Sequence, residues 1–417
     1  MSAVHERPVH LIVRDEGTRS PLTVFFRLIL VIPHLIWLSL WGIAAAVAVI
    51  INWFATLFAG QSPQGLHLFL AAYIRYAIHV GAYLFLVADP YPDFGGSPGY
   101  PVDVEIAPPQ PQNRWTVAFR LILAIPAILL ASALASTGRT TGGYYISFGL
   151  LGIVAFLGWF ACLARSRMPR GFRDAAAYAL AYSAQLDAYL FLLTDRYPNG
   201  DPLAALDEIP VRSDPIRLPA DENLHRSRVT VFFRLLLAIP HLIWLYLWGI
   251  VAFFAVIANW FATLFSGRSP EGLHRFLSAY LRYAIHVYAY LLLSADPFPE
   301  FVGREGSYPV DLSIEGPRDQ NRWTVGFRIV LALPAAVVTS AYSNVAYIAA
   351  FLGWFAALAT GEMPRGLRNA QILALRYHAQ TYGYIFLLTE SYPYSGPSQN
   401  AVPVTDVPEV APMPMPA

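Results

Sequence analysis

Four times along the chain the same order of apolar and polar positions returns. A short extended segment leads into a long apolar run, then a Gly/Pro turn, a second apolar run, and an acidic–aromatic–proline exit. The turns read "GQSPQGL", "SRMPRGF", "GRSPEGL" and "GEMPRGL", and the exits read "DPYP", "DRYP", "DPFP" and "ESYP". Residues 23–94 align without a gap on 230–301, with roughly three-quarters of the positions identical, so the half-chain is duplicated. Within each half, "NRWTVAFRLILAIP" (113–126) and "NRWTVGFRIVLALP" (321–334) repeat the "TVFFRLILVIP" of the first unit. Second runs such as 66–88 and 273–295 are long enough for ~30 Å of hydrocarbon.

The pattern predicts a mainly α, polytopic membrane protein of four helical hairpins, about eight transmembrane helices, with pseudo-twofold symmetry. The first half-repeat covers 1–200 (units 1–94 and 95–200) and the second 201–394 (units 201–301 and 302–394). A Pro-rich tail, 395–417, is expected to be disordered. The linkers "YPVDVEIAP" (100–108) and "YPVDLSIEG" (308–316) alternate apolar and polar positions, the signature of half-buried strands. With the N-terminal "PVHLIV" they are expected to form a small sheet under the membrane.

The first apolar run, 23–58, would extend ~54 Å as a helix, too long for one upright crossing of ~30 Å. Trp53, Trp159, Trp260 and Trp354 before the turns, and Trp37, Trp41, Trp244 and Trp248 earlier, read as opposing interfacial belts. The crossing is therefore placed at about 37–58, with 23–33 either an interfacial helix broken from it at Pro33, the favoured reading, or a tilted extension of it. Even crossings put both termini and all linkers on one face, so the four units are expected to run parallel.

Composition sharpens this picture. The chain of 417 residues is 56% hydrophobic and 13% charged, with mean hydropathy +0.46, against about 25% charged in soluble domains. A net charge of +1 leaves no basic footprint for nucleic acid. The single cysteine, Cys162, excludes a disulfide or a cysteine metal cluster within the chain. All 28 basic residues are arginine, a side chain that pairs bidentately with phosphate. No leader is expected before the first run, and the arginine distribution favours cytoplasmic termini.

The stretch "RLLLAIPHLIWLYLWGIVAFFAVIANWFATLFSGRSPEGLHRFLSAYLRYAIHVYAYLLLSADPFPEF" (234–301) and its copy at 27–94 resemble the bacterial membrane proteins of domain-of-unknown-function family 4389. Units two and four resemble it more weakly. The resemblance implies a multi-pass protein of the bacterial cytoplasmic membrane and supplies no activity.

Candidate chemistry lies in polar residues inside the apolar runs, where ionisable groups are expensive. "YIRYAIHV" and "YLRYAIHV" place Arg75 with His79 and Arg282 with His286, one turn apart on one helical face. Asn52, Asn259, His34 and His241 complete each set, and Asp187 is the one obvious countercharge within a crossing. In units two and four these positions become Gly158 and Gly353, Ala127 and Ala335, and Gln185 and Gln380; Arg75 becomes Ala181 but persists as Arg376. The shared Arg-x5-Pro arginines, Arg27, Arg120, Arg234 and Arg328, are expected to pair with the exit carboxylates Asp89, Asp195, Asp296 and Glu390. A carboxylate at a helix C-terminus opposes the macrodipole, so its fourfold recurrence needs such a cause.

Catalytic motifs are missing: there is no P-loop, His-Glu-x-x-His or Gly-x-Ser-x-Gly. No cofactor and no metal is expected, and an enzyme is unsupported. Two readings follow. In one, the paired Arg/His sites bind or pass a small anionic solute or lipid headgroup. In the other, the chain is a non-catalytic membrane scaffold that recruits partners through its cytoplasmic sheet and tail.

Overall fold

The computed structural model describes residues 8–400 apart from 16, 136, 141–142 and 147–148. Unit one comprises β1 (Val9–Val13), α1 (Pro21–Leu30), α2 (Ile32–Ala59) and α3 (Gln64–Leu84). Unit two comprises β2 (Val102–Ile106), α4 (Arg114–Ala118), α5 (Arg120–Leu134), the β3 (Thr137–Thr140) and β4 (Gly143–Ile146) pair, α6 (Leu150–Arg165) and α7 (Arg170–Leu190). Unit three follows with β5 (Val211–Arg212), β6 (Ile216–Arg217), α8 (Arg228–Ser266) and α9 (Glu271–Leu291). Unit four ends the chain with β7 (Ser313–Ile314), α10 (Arg322–Gly326), α11 (Arg328–Thr360), α12 (Arg365–Ile385) and β8 (Gln399–Asn400).

The expected break at proline does not occur. Val31, between α1 and α2, keeps helical angles, and Pro33 falls at the start of α2, where its missing N–H is no loss. Pro126, Pro240 and Pro334 lie inside continuous helices. Pro21–Ala59 and Arg228–Ser266 thus each run 39 residues and Arg328–Thr360 runs 33; these three helices are long and apolar enough to cross a membrane. In unit two the corresponding run is split into α5 and α6, 15 and 16 residues long.

The units do not enter from one face. Gly17 and Arg19, at the start of unit one, pair with Met168 and Ser166 in the turn of unit two. Gln112, at the start of unit two, pairs with Gly60 in the turn of unit one. Units three and four repeat the exchange through Arg226–Gly361 and Gln320–Gly267. Tryptophan locks the same arrangement. The indoles of Trp53 and Trp159 donate to the carbonyls of Val117 and Val24, and those of Trp260 and Trp354 to Val325 and Val231. Each tryptophan at the end of one long run is tied to the start of its partner's, so paired units lie antiparallel. The physical reason is the linker. Residues 100–113 run back along α3, and fourteen extended residues at ~3.3 Å each cover the ~31 Å of a 21-residue helix.

Helix packing and strand packing fall on opposite sides of the second helices. The first helix of each unit packs on the second, while β1 packs on α7, β2 on α3 and β6 on α12. The expected single sheet is instead a set of separate two-stranded ladders. The strands β1 and β2 pair antiparallel from Val9↔Ile106 to Val13↔Val102, and β6 and β7 pair as Ile216↔Ile314. The beginning of the expected disordered tail is seated: β8 pairs with β5, and Ser395 accepts from the Tyr342 hydroxyl. Residues 401–417 lie outside the described residues. The two halves meet through units two and four, where α5 and α6 pack on α11 and Asn369 donates to Asp201.

Candidate functional site

Helix α3 carries two faces. Tyr76 stacks on Trp41 of α2 and Tyr73 meets it edge-on, and the other face, with Arg75 and His79, meets β2. There Asp103 Oδ1 lies 3.3 Å from Arg75 Nε and 3.0 Å from His79 Nε2. Its Oδ2 accepts from the Gly99 N–H at 3.0 Å, and Arg75 also donates to the Val104 carbonyl. The second half repeats the arrangement. Asp311 Oδ1 lies 2.7 Å from His286 Nε2 and 3.7 Å from Arg282 Nε, and Arg282 donates to the Leu312 carbonyl and to Glu305. Both imidazoles are fully buried, each beside a linker tyrosine, Tyr100 at 4.7 Å and Tyr308 at 4.9 Å between ring centres.

Burial opposes ionisation of Asp103 and Asp311, yet both carboxyls are held below the usual range. For Asp103 the Gly99 N–H, His79 and the Val104 N–H outweigh burial; for Asp311, His286, Gly306 and Leu312 do. The expected countercharge, Asp187, stands half-buried on α7. The carboxylates that meet Arg75 and Arg282 come from the linkers instead. A strictly alternating strand turns Asp103 and Asp311 outward, but both are buried because the second helix covers that side of the strand as well.

The other candidates occupy separate places. His34 and His241 bond the hydroxyls of Tyr76 and Tyr283 at 2.7 Å and stack on Phe94 and Phe301. Asn52 and Asn259 donate to the carbonyls of Phe191 and Phe386 and accept from Ser62 and Ser269. In units two and four, Met168 and Met363 stand where units one and three have those serines. A Cβ on Gly158 or Gly353 would fall 2.5 or 2.4 Å from their sulfurs. The asparagine–serine pair and the glycine–methionine pair thus fill equivalent space.

At the helix ends, Arg27 donates to the Tyr83 and Ala88 carbonyls and to Asp89, the last at 2.6 Å. Arg234 does the same with Tyr290, Ala295 and Asp296. Arg120 bonds Thr194 and Asp195. Arg328 bonds Thr389 and Gln320, and here the exit carboxylate departs from the others. Glu390, one methylene longer, accepts from Asn321 and Thr324, as Asp195 accepts from Asn113 and Thr116 and Asp296 from Ser227 and Thr230. Unlike those two, it makes no hydrogen bond to its arginine among the described residues. Each guanidinium also lies over a tyrosine ring, at 4.4 Å from Tyr83 and Tyr290 and 4.0 Å from Tyr189 and Tyr384. A cation there satisfies the C-terminal carbonyls of the second helix and balances its dipole.

Sequence reasoning missed a second clamp at these ends. Each second helix is followed by a leucine with positive φ, Leu86, Leu192, Leu293 and Leu387, a conformation that costs a bulky side chain about 1–2 kcal/mol. The carbonyl of each is held by Arg19, Gln112, Arg226 or Gln320. These four residues stand eight positions before the Arg-x5-Pro arginines, a constant spacing visible in the sequence. The repeated "YPVD" likewise signalled Asp103 and Asp311.

A cavity of about 540 Å³ opens beside α12, lined by Asp201, Leu218, Arg365, Arg368, Asn369 and Arg376 among others. Arg376 is buried with its Nε unbonded, while its terminal nitrogens reach Ser398 and the Gly396 carbonyl. Among the described residues no group of three or more His, Cys, Asp or Glu is placed to hold a metal ion.

The chain belongs to the family described as domain of unknown function (DUF4389), whose model matches residues 21–95, 228–303 and 322–395, together more than half of the chain. The split unit two is not among the matched segments. No curated protein and no solved structure matches.

Proposed function

We propose that this DUF4389 member is a membrane-embedded, non-catalytic scaffold, in which the Arg/His pairs tie the inter-unit linkers to the helices. The observation that carries this reading is the position of Asp103 Oδ1, within 3.3 Å of both Arg75 and His79. An anion gathered by guanidinium and imidazole together would need that same point. Asp311 occupies the matching place between Arg282 and His286. Among the described residues the two clusters share no partner, so each closes on its own linker. The lipid bilayer is the partner the three long apolar helices call for.

Replacing Arg75→Leu and Arg282→Leu together tests the reading. The scaffold role expects a lower thermal unfolding midpoint and unchanged retention of anionic lipid. A stable double variant that has lost anionic lipid counts for a headgroup site instead.

A second reading draws on the cavity beside α12. Three arginines, a buried unbonded Nε and apolar walls suit an anionic amphiphile. In this reading Arg376→Leu releases an anionic lipid that copurifies with the wild-type chain.

A further inference from the structure

The lengths of the first helices do not suit an upright crossing. Residues 21–59 and 228–266 are apolar and exposed from end to end, from Leu22 to Phe58 and from Val229 to Phe265. At 1.5 Å per residue each extends ~58 Å, about twice the hydrocarbon thickness. An upright helix would leave nearly half of that apolar surface in water. In unit two, neither α5 nor α6 reaches the ~20 residues a crossing needs.

The opposite side of the molecule has the opposite character at the same level. Arg75, midway along α3, bonds the Val104 carbonyl, and the next residue, Glu105, has a side chain 63% exposed. Midway along α9, Arg282 holds Glu305, whose side chain is 60% exposed. Level with these, Tyr73 abuts Gly42 of α2, beside which Ile43 is 67% exposed. A hairpin standing across the bilayer would put Glu105 and Glu305 at mid-depth, facing lipid, where an ionised carboxylate is expensive.

We propose that the long first helices lie in the plane of the bilayer, immersed in the hydrocarbon of one leaflet, with the linker strands facing water. The protein is then monotopic, with an apolar helix layer, a middle layer formed by α3, α7, α9 and α12, and a wet strand layer. On α2 and α8 the buried residues form one narrow stripe and the remaining circumference is apolar. That is the surface of a helix surrounded by acyl chains, whereas a protein partner would cover one side only. The inference rests on the membrane reading above and deepens it.

The test uses the full chain in sealed proteoliposomes, in a Cys162→Ser background, with Gln61→Cys, Arg167→Cys or Glu105→Cys labelled by an impermeant maleimide. All three positions are exposed, in the turn of unit one, the turn of unit two and β2. The in-plane arrangement expects all three to label from one and the same side. Because paired units are antiparallel, spanning hairpins would put Gln61→Cys and Arg167→Cys on opposite sides and leave Glu105→Cys unlabelled. That result, in protein that resists alkaline extraction, overturns the in-plane arrangement alone. Release of the protein at alkaline pH overturns the membrane reading and this inference together. Glu271→Cys and Glu362→Cys, in the turns of units three and four, give the same contrast if any first variant fails to fold.

Discussion

Replacing Arg27→Met isolates what the recurrent arginine does. Its side chain is 2% exposed and donates to two main-chain carbonyls and one carboxylate. Methionine keeps the apolar stem but orphans the Tyr83 and Ala88 carbonyls, each at about 1–3 kcal/mol. Removing one member of a buried ion pair costs about 3–5 kcal/mol. Asp89 is 31% exposed and regains water, which places the expected loss near the lower end, about 3–4 kcal/mol. Asp89→Asn should cost about 1 kcal/mol or less, because an amide oxygen still accepts and the site is partly solvated. Chemical unfolding of the full chain in a mild detergent, followed by circular dichroism, reads both. The Arg328→Met loss should be smaller, about 1–3 kcal/mol for the orphaned Thr389 carbonyl, and Glu390→Gln should be nearly silent, since its hydrogen bonds go to Asn321 and Thr324 and not to the arginine. An Arg27→Met loss below that of Asp89→Asn would refute the capping argument.

Other outcomes follow from the same geometry. Asp103 and Asp311 have folded pKa values below the ordinary carboxylate range, so their contribution is present above about pH 4 and lost as pH falls through the depressed value. Asp103→Asn with Asp311→Asn should therefore lower the unfolding midpoint at neutral pH and flatten its fall on acidification; an unchanged acid limb contradicts the assignment. Gly158→Asn alone should destabilise by about 1–3 kcal/mol through overpacking on Met168. Adding Met168→Ser should recover much of that in the same unfolding assay, by recreating the Asn52–Ser62 pair. Gly303→Ala should be among the most damaging small substitutions, since φ is +60° and the new Cβ would lie 2.4 Å from the Ala279 carbonyl oxygen; near-normal expression and stability would contradict it.

The hairpins, their repetition and the apolar character of the first helices were legible because each is written in local periodicity. The direction of the units was not. Counting crossings assumed that each linker stays on one face, and an extended segment such as 100–113 can equally traverse a helix's whole length. The polar candidates were legible as a list, but a list does not carry partners. Asp187 reads as the countercharge to the arginines because it lies in an apolar run, whereas Asp103 sits in a strand whose alternation points it outward. Only the packing of β2 on α3 turns it inward. Glu390 shows the limit at single-atom scale: it recurs in position and keeps the helix-start contacts of Asp195 and Asp296, yet the hydrogen bond to the arginine that those two make is not among its contacts. The seating of Ser395–Asn400 was hidden because its contacts come from distant Tyr342 and Arg376.

The orientation of the helices relative to the bilayer is the most direct test of the account. Polarised infrared spectroscopy of the full chain in aligned bilayers measures it through the amide I dichroism, to which first and second helices contribute together. The account predicts helix axes lying close to the membrane plane. Axes close to the membrane normal would contradict it.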